Sequence, residues 1–260
     1  MYLICMLIAF LACVLGKICG MGGGVIIKPV LDALGVASVS AINFLSGCTV
    51  IGMSLWSVGK SYVKRDSQID LKISTPLAIG AAVGGILGKS AYSAVAGLFP
   101  SSDTAGGVQA ILLLAATFGT LLYTLNKDKI RMLHVKNPLA CEAIGFALGM
   151  LGSFLGIGGG PFNMAVLYFF FAMSTKVAAQ NSLYIILISQ STGTLKVILS
   201  GKTPEIIPVL LIGMVLFGVL GSEIGGRLNR RLSEKSTTRL FEAAMVLVMG
   251  ICVYNIVKFL

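Results

Sequence analysis

Hydrophobic positions fall in long blocks, not with the period of a strand or of a half-wetted helix. Apolar runs cover residues 2–19, 25–35, 38–58, 71–97 and 105–126, then 138–155, 161–173, 176–200, 204–228 and 236–258. A helix that is apolar all round is either buried or sits in lipid, and a full crossing takes about 20 residues. Most of the runs have that length and predict transmembrane helices. The runs 25–35 and 161–173 are too short. Each follows a glycine cluster, so each is expected to be a half-helix joined to the preceding run by a glycine break.

Composition makes the lipid reading the only workable one. Hydrophobic residues make up 56% of the 260 residues and charged residues 12%, and mean hydropathy is +0.94. A soluble domain carries about 25% charged residues, so this chain has too few to cover a globular surface. A cytosolic enzyme, a nucleic-acid reader and a disordered chain are excluded. A multi-pass, all-α protein of the plasma membrane with about eight transmembrane segments is expected. The net charge of +10 fits the bias of cytoplasmic loops rather than nucleic acid. The first twenty residues lack a positive start, since the first charge is Lys17, and a related segment recurs mid-chain. They therefore read as part of the fold rather than a signal peptide. The six cysteines have no paired spacing and read as small apolar residues.

The chain repeats itself. Gly16-x-x-x-Gly20-x-Gly22-Gly23-Gly24 answers Gly152-x-x-x-Gly156-x-Gly158-Gly159-Gly160. Asn43, followed by Ser46, answers Asn181-Ser182. Ile79-Gly80-x4-Gly85-x-Leu87-Gly88 answers Ile212-Gly213-x4-Gly218-x-Leu220-Gly221. The offsets are 136, 138 and 133. The expected organisation is transmembrane repeat 1 (1–126), a basic cytoplasmic linker (127–137) and transmembrane repeat 2 (138–260), together forming one transport unit. If each glycine-broken segment returns to the side it came from, three basic clusters share the cytoplasmic face. These are Lys60 to Lys72, Lys127 to Lys136 and Arg227 to Arg239. The halves are then inverted, a recurrent transporter plan. Eight plain spans in two parallel halves is the rival.

Glycine triplets cost a helix about 1 kcal/mol per residue, but they let the chain turn and expose N–H groups. The half-helices begin directly after them, at Val25 and at Pro161, where proline suits the first turn. Helix N-termini attract anions. The candidate anion-binding residues are Gly22, Gly23, Gly24, Asn43 and Ser46 in the first half. In the second they are Gly158, Gly159, Gly160, Pro161, Asn163, Asn181 and Ser182. The alternative is that the triplets only permit close helix crossing. That packing reading is preferred for Gly80, Gly84, Gly85, Gly88, Gly218, Gly221 and Gly225, which recur at three- and four-residue spacing. Lys28 reads as a residue that snorkels to the interface. Glu223 and Arg227 are spaced to pair. No catalytic set is recognisable, no metal or cofactor motif is present, and the scarcity of acids speaks against a cation site.

With these motifs in hand, the chain resembles the sulfite exporter TauE/SafE family, also described as the toluene-sulfonate uptake permease group. The likeness rests on the paired G-x-G-G-G motifs, the Asn-Ser follow-ons, the length and the duplication, and spans the whole chain. It implies a secondary transporter of small anions, typically sulfur oxyanions or sulfonates, working by alternating access. Pro29 keeps the family's spacing after the first triplet, whereas Pro161 directly follows the second, which makes the half-sites unequal. The expected partners are a small anionic substrate and the lipid bilayer, with a homodimer as candidate assembly and no nucleic acid. A membrane scaffold without transport of its own is the rival function.

Overall fold

The computed structural model describes residues 1–99, 102–157, 159–201 and 203–259. Among them are ten α-helices and no strand. The first half holds α1 (Tyr2–Cys19), α2 (Gly24–Leu34), α3 (Val39–Val63), α4 (Leu71–Ala96) and α5 (Ser102–Asn126). The second holds α6 (Pro138–Phe154), α7 (Pro161–Phe171), α8 (Thr175–Leu199), α9 (Pro208–Arg231) and α10 (Glu234–Phe259). Two boundaries pass the apolar runs for local reasons. α3 continues to Val63 because Lys60 finds an ion partner on α9. α9 starts at Pro208, whose ring suits the first turn, and ends in Arg230 and Arg231, which complement the helix dipole.

Seven helices, α1, α3, α4, α5, α8, α9 and α10, are long and apolar enough to cross a membrane. The 11-residue α2 and α7 are about 16 Å long, half the hydrocarbon core. Outward faces are stripes of large apolar side chains: Leu3, Leu7 and Leu11 on α1, Ile79, Val83 and Leu87 on α4, Ile212, Leu216 and Leu220 on α9. Water would not tolerate such continuous stripes; acyl chains do. The protein is a multi-pass α-helical membrane protein.

The short helices are re-entrant. α1 ends at Gly20 (φ 70°), and Gly22 (φ 70°) completes the reversal before α2 starts. Met1 and Tyr2 border the same crevice as Val36 and Ala37, so the α1–α2 segment returns to its starting face. In the second half Gly156 (φ 71°), Gly159 (φ 133°) and Gly160 (φ 109°) make the reversal. These left-handed values suit glycine alone. Leu133 N–H donates to Phe169 O (2.7 Å) and Val135 N–H to Phe170 O (2.9 Å), tying the approach to α6 to the end of α7.

The halves interlock. α4 crosses α6 and α1 crosses α9; α4 also meets α8 as α3 meets α9, and α3 lies on α8. Exchanging α1–α5 for α6–α10 returns the same set of pairs. The principal crossings use the second glycine set. A Cβ on Gly80 would stand 2.0 Å from Glu142 O, one on Gly84 2.1 Å from Phe146 O, and one on Gly221 2.3 Å from Phe10 O. Only a bare backbone permits that approach. The basic clusters share one face: Arg230 reaches Asp66 (3.7 Å), and Lys127, Lys235 and Arg239 border one cleft.

Candidate functional site

At the centre the two glycine clusters are packed against side chains. Gly24 faces Ile157 O and the Ser46 hydroxyl, Gly160 faces Val25, and Gly22 faces Val50 and Ile186. Gly23 faces Cys13 of α1, and Gly159 faces Asn163 and Ile186. Gly158 lies outside the described residues. The described glycines therefore meet in a tightly packed crossing. Pro161 is buried in the first turn of α7, and neither half-helix has a side-chain cap.

Open space lies on either side of this crossing. One cavity, of ≈ 460 Å³, lies among the N-terminal part of α3 and the C-terminal parts of α4, α6 and α8. It is lined by Asn43, Lys89, Ser153, Gly156, Gln190 and Lys196, among others, and by no carboxylate among the described residues. Lys196 Nζ donates to Ile86 O (3.0 Å) and to the Ser90 hydroxyl, and neither Lys89 nor Lys196 has an acidic partner among the described residues that line the cavity. The other cavity, of ≈ 300 Å³, lies among the C-terminal parts of α1, α3 and α9 and the N-terminal part of α8. Here Lys17 donates to the Ser57 hydroxyl (2.5 Å). Lys60 pairs with Glu223, whose carboxylate also accepts from Trp56 Nε1 (3.0 Å) and Arg227 Nε (2.9 Å). The opposite ends of α3 and α8 line the two cavities, so these helices run antiparallel through the centre.

The candidate side chains divide between these places. Asn43 lines the acid-free cavity, and its Oδ1 is buried without a partner. Asn163 (2% exposed) and Ser182 (0%) are buried near the crossing, with Asn163 Oδ1 and Ser182 Oγ unpartnered. Asn181 is used up elsewhere. Its Nδ2 donates to Gln68 O (3.1 Å) and Val177 O (2.7 Å), while its Oδ1 accepts from Asp70 N–H (2.9 Å) and the Ser74 hydroxyl (2.6 Å). It ties the 64–70 connection to α8. Lys28 does not snorkel. It is 4% exposed and donates to Asp32 Oδ2 at 2.6 Å. Lys89, Lys196, Ser153 and Gln190 were missed by the sequence reading. The available signal was a lysine inside a long apolar run, which in a membrane marks function by default.

Comparison with known proteins now bears on this geometry. A family model described as "Sulfite exporter TauE/SafE" matches residues 5–253. The chain belongs to the sulfite exporter TauE/SafE family. It is also 25% identical over 269 residues to "Probable membrane transporter protein YunE" of Bacillus subtilis (strain 168), covering 95% of each chain. No solved structure matches significantly. The TauE/SafE membership and the membrane-spanning architecture make this a membrane transporter. The glycine motifs that carried the resemblance build the crossing in this TauE/SafE protein, while the lysines that face open space lie outside them.

Proposed function

We propose that this TauE/SafE protein is a secondary transporter of a small anion, a sulfur oxyanion or sulfonate, working by alternating access in the plasma membrane. The observation that carries this reading is the acid-free cavity holding Lys89 and Lys196. In a low-dielectric wall two uncompensated ammonium groups set up a field that concentrates anions. Asn43, Ser40, Ser93 and Ser153 add polar groups suited to the oxygens of a sulfonate or sulfite, and ≈ 460 Å³ admits such an anion with some of its water.

Alternating access is supported by the paired cavities at opposite ends of α3 and α8, with the re-entrant α2 and α7 between them. Irregular backbone at membrane depth survives only where protein buries it or a cavity receives it. The common face of the basic clusters supports a cytoplasmic location for Lys64, Lys129 and Arg231. Lys89 then opens toward the outside, and the repeats are inverted.

The test is equilibrium binding to purified protein of sulfite, sulfate, thiosulfate, methanesulfonate and acetate. Binding of at least one sulfur anion, weakened tenfold or more by Lys89→Met in protein that remains folded, is expected. A scaffold would bind none, and unaltered affinity in the Lys89 variant would move the site elsewhere.

A further inference from the structure

The anion reading leaves one buried ion pair unused. Lys28 and Asp32, one turn apart on the half-helix α2, pair at 2.6 Å with side chains 5% exposed. Burying both charges brings little net stability, and the matching stretch of α7, Met164 to Phe170, carries no charge at all. The pair is therefore no requirement of the repeated fold.

Its position is informative. Gly156 lines the acid-free cavity, and a Cβ there would stand 2.6 Å from Asn43 Oδ1 and 2.8 Å from Lys28 Cε. The lysine stem thus packs behind Gly156 of the cavity wall, beside Asn43, whose Oδ1 has no partner among the described residues. On its far side, Asp32, Gln109 and Asn255, from α2, α5 and α10, border a void of ≈ 10 Å³, about enough for one water. Asp32 Oδ1, Gln109 Oε1 and Asn255 Oδ1 are all buried acceptors that no donor among the described residues reaches. The amide orientations are fixed, because Gln109 Nε2 donates to Phe154 O (2.6 Å) and Asn255 Nδ2 to Pro29 O (2.9 Å). Three acceptors thus border one small void and receive no hydrogen bond from a described residue, although the Lys28 ammonium and the Cys252 thiol line the same void. A single water brings two donors. A proton on Asp32 brings the third.

We propose that Lys28 is the cation that receives the transported anion, that Asp32 holds it in the empty protein, and that Asp32 takes up one proton as the anion displaces it. This inference rests on the anion reading above. The steps balance. The N–H···O contact from Lys28 to Asp32 Oδ2 breaks and an N–H···O contact to the anion replaces it. A hydronium ion from the aqueous cavity loses one O–H bond and becomes water as its proton forms an O–H bond at Asp32 Oδ1, aimed at the unserved acceptors. The empty pair is neutral, and so is the loaded set of ammonium, monoanion and carboxylic acid. Anion binding without the proton would leave two anions sharing one buried ammonium, which is strongly unfavourable. A monoanion therefore moves with one proton and no net charge. The other titratable groups facing this region are Lys258 and Cys252 of α10, Tyr92 and Lys89 of α4, and Lys196 of α8. Lys258 Nζ is occupied by Asp32 O (3.1 Å) and Ala33 O (2.9 Å). Cys252 borders the same void and Tyr92 lines the outer cavity.

The experiment is calorimetric titration of the purified full-length protein with methanesulfonate or thiosulfate in two buffers of different ionisation enthalpy, which counts protons. Both probes stay ionised near neutral pH, so a proton taken up belongs to the protein. Wild type should take up about one proton per methanesulfonate. Asp32→Asn should bind as tightly or more tightly with no proton uptake. Lys28→Met should lose at least tenfold in affinity while eluting as a folded species, and the double variant Lys28→Met/Asp32→Asn should bind no better. Proton uptake that persists in Asp32→Asn, or a double variant that binds like wild type, would overturn the proposal and leave the pair a structural one. Failure of wild type to bind either probe would instead tell against the anion reading on which it rests.

Discussion

The two cavities occupy matching places in the two halves, yet they treat charge in opposite ways. Lys17 and Ser153 each stand three residues before a left-handed glycine, Gly20 and Gly156. Lys17 lines the cavity of mixed charge, Ser153 the acid-free one. Lys89 and Ser222 each follow the last glycine of the packing motif, and the next residues are Ser90 and Glu223. A carboxylate at the second position gathers Lys60 and Arg227 into an ion-paired cluster. A serine there leaves Lys89 and Lys196 without an acidic partner among the described residues. On the proposed anion reading, single residues at matching positions of the sequence repeat set which vestibule receives the anion and which is held closed by ion pairs.

The strongest way to break this comparison is charge reversal at matching depth. Lys89→Glu places an acid where no other acid lines the wall among the described residues. It should lower anion affinity at least 100-fold, about 2.7 kcal/mol or more. Lys17→Glu changes a cavity that already contains Asp66 and Glu223 and should cost less than tenfold. Binding of radiolabelled sulfite or methanesulfonate to detergent-purified variants measures both. A larger loss in the Lys17 variant would reverse the assignment of receiving and closing sides.

The framework was far more legible than the cavities. Apolar runs and glycine breaks located all ten helices to within a few residues, because lipid demands continuous hydrophobicity and only glycine makes the turns at Gly20, Gly156 and Gly160. The packing role of Gly80, Gly84 and Gly221 followed from spacing alone, since it depends on one helix face. The cavity lining depends on which ends of α3, α4, α6 and α8 converge, and no local pattern encodes that convergence. Asn43 and Asn181 show the limit. They match under the repeat, but one borders open space while the other braces a connection that includes Gln68 and Asp70. Lys28 fared similarly: its sequence neighbours suggested an interface, and only the packing of α2 against α10 reveals the buried pair.

That matched pair of asparagines sharpens the comparison at intermediate effect. Asn43→Ala removes a polar group from the receiving cavity. It should weaken anion binding about tenfold, as expected for a hydrogen bond to a charged partner worth about 1.5–3 kcal/mol, with little change in thermal stability. Asn181→Ala removes four hydrogen bonds and leaves the Asp70 N–H and Ser74 hydroxyl to find new partners. It should lower the melting temperature by several degrees, with affinity per folded molecule unchanged. Thermal-shift and binding measurements on the same preparations separate the two. Equal affinity losses with unchanged stability would restore Asn181 to the site and make the half-sites equivalent.

The smallest effect expected concerns the closing cluster. Glu223 holds Lys60 and Arg227 together and accepts from Trp56, bridging α3 to α9 over the mixed-charge cavity. Arg227 is largely exposed, so its share is that of a surface pair, at most about 0.5 kcal/mol. The Lys60 and Trp56 contacts are better shielded and cross between helices. Glu223→Gln keeps the shape and removes the charge. By shifting a two-state equilibrium by about 0.5–1 kcal/mol, it should raise the open population of this side two- to fivefold. The readout is the labelling rate of Ser57→Cys by a membrane-impermeant maleimide, with the background from the six native cysteines subtracted. Because Ser57 also accepts from Lys17, Lys17→Gln alone is the control for loss of that contact. A labelling rate unmoved by Glu223→Gln would mean that the cluster is a fixed brace, and that glycine packing at the α1–α9 crossing, not charge pairing, keeps this vestibule shut.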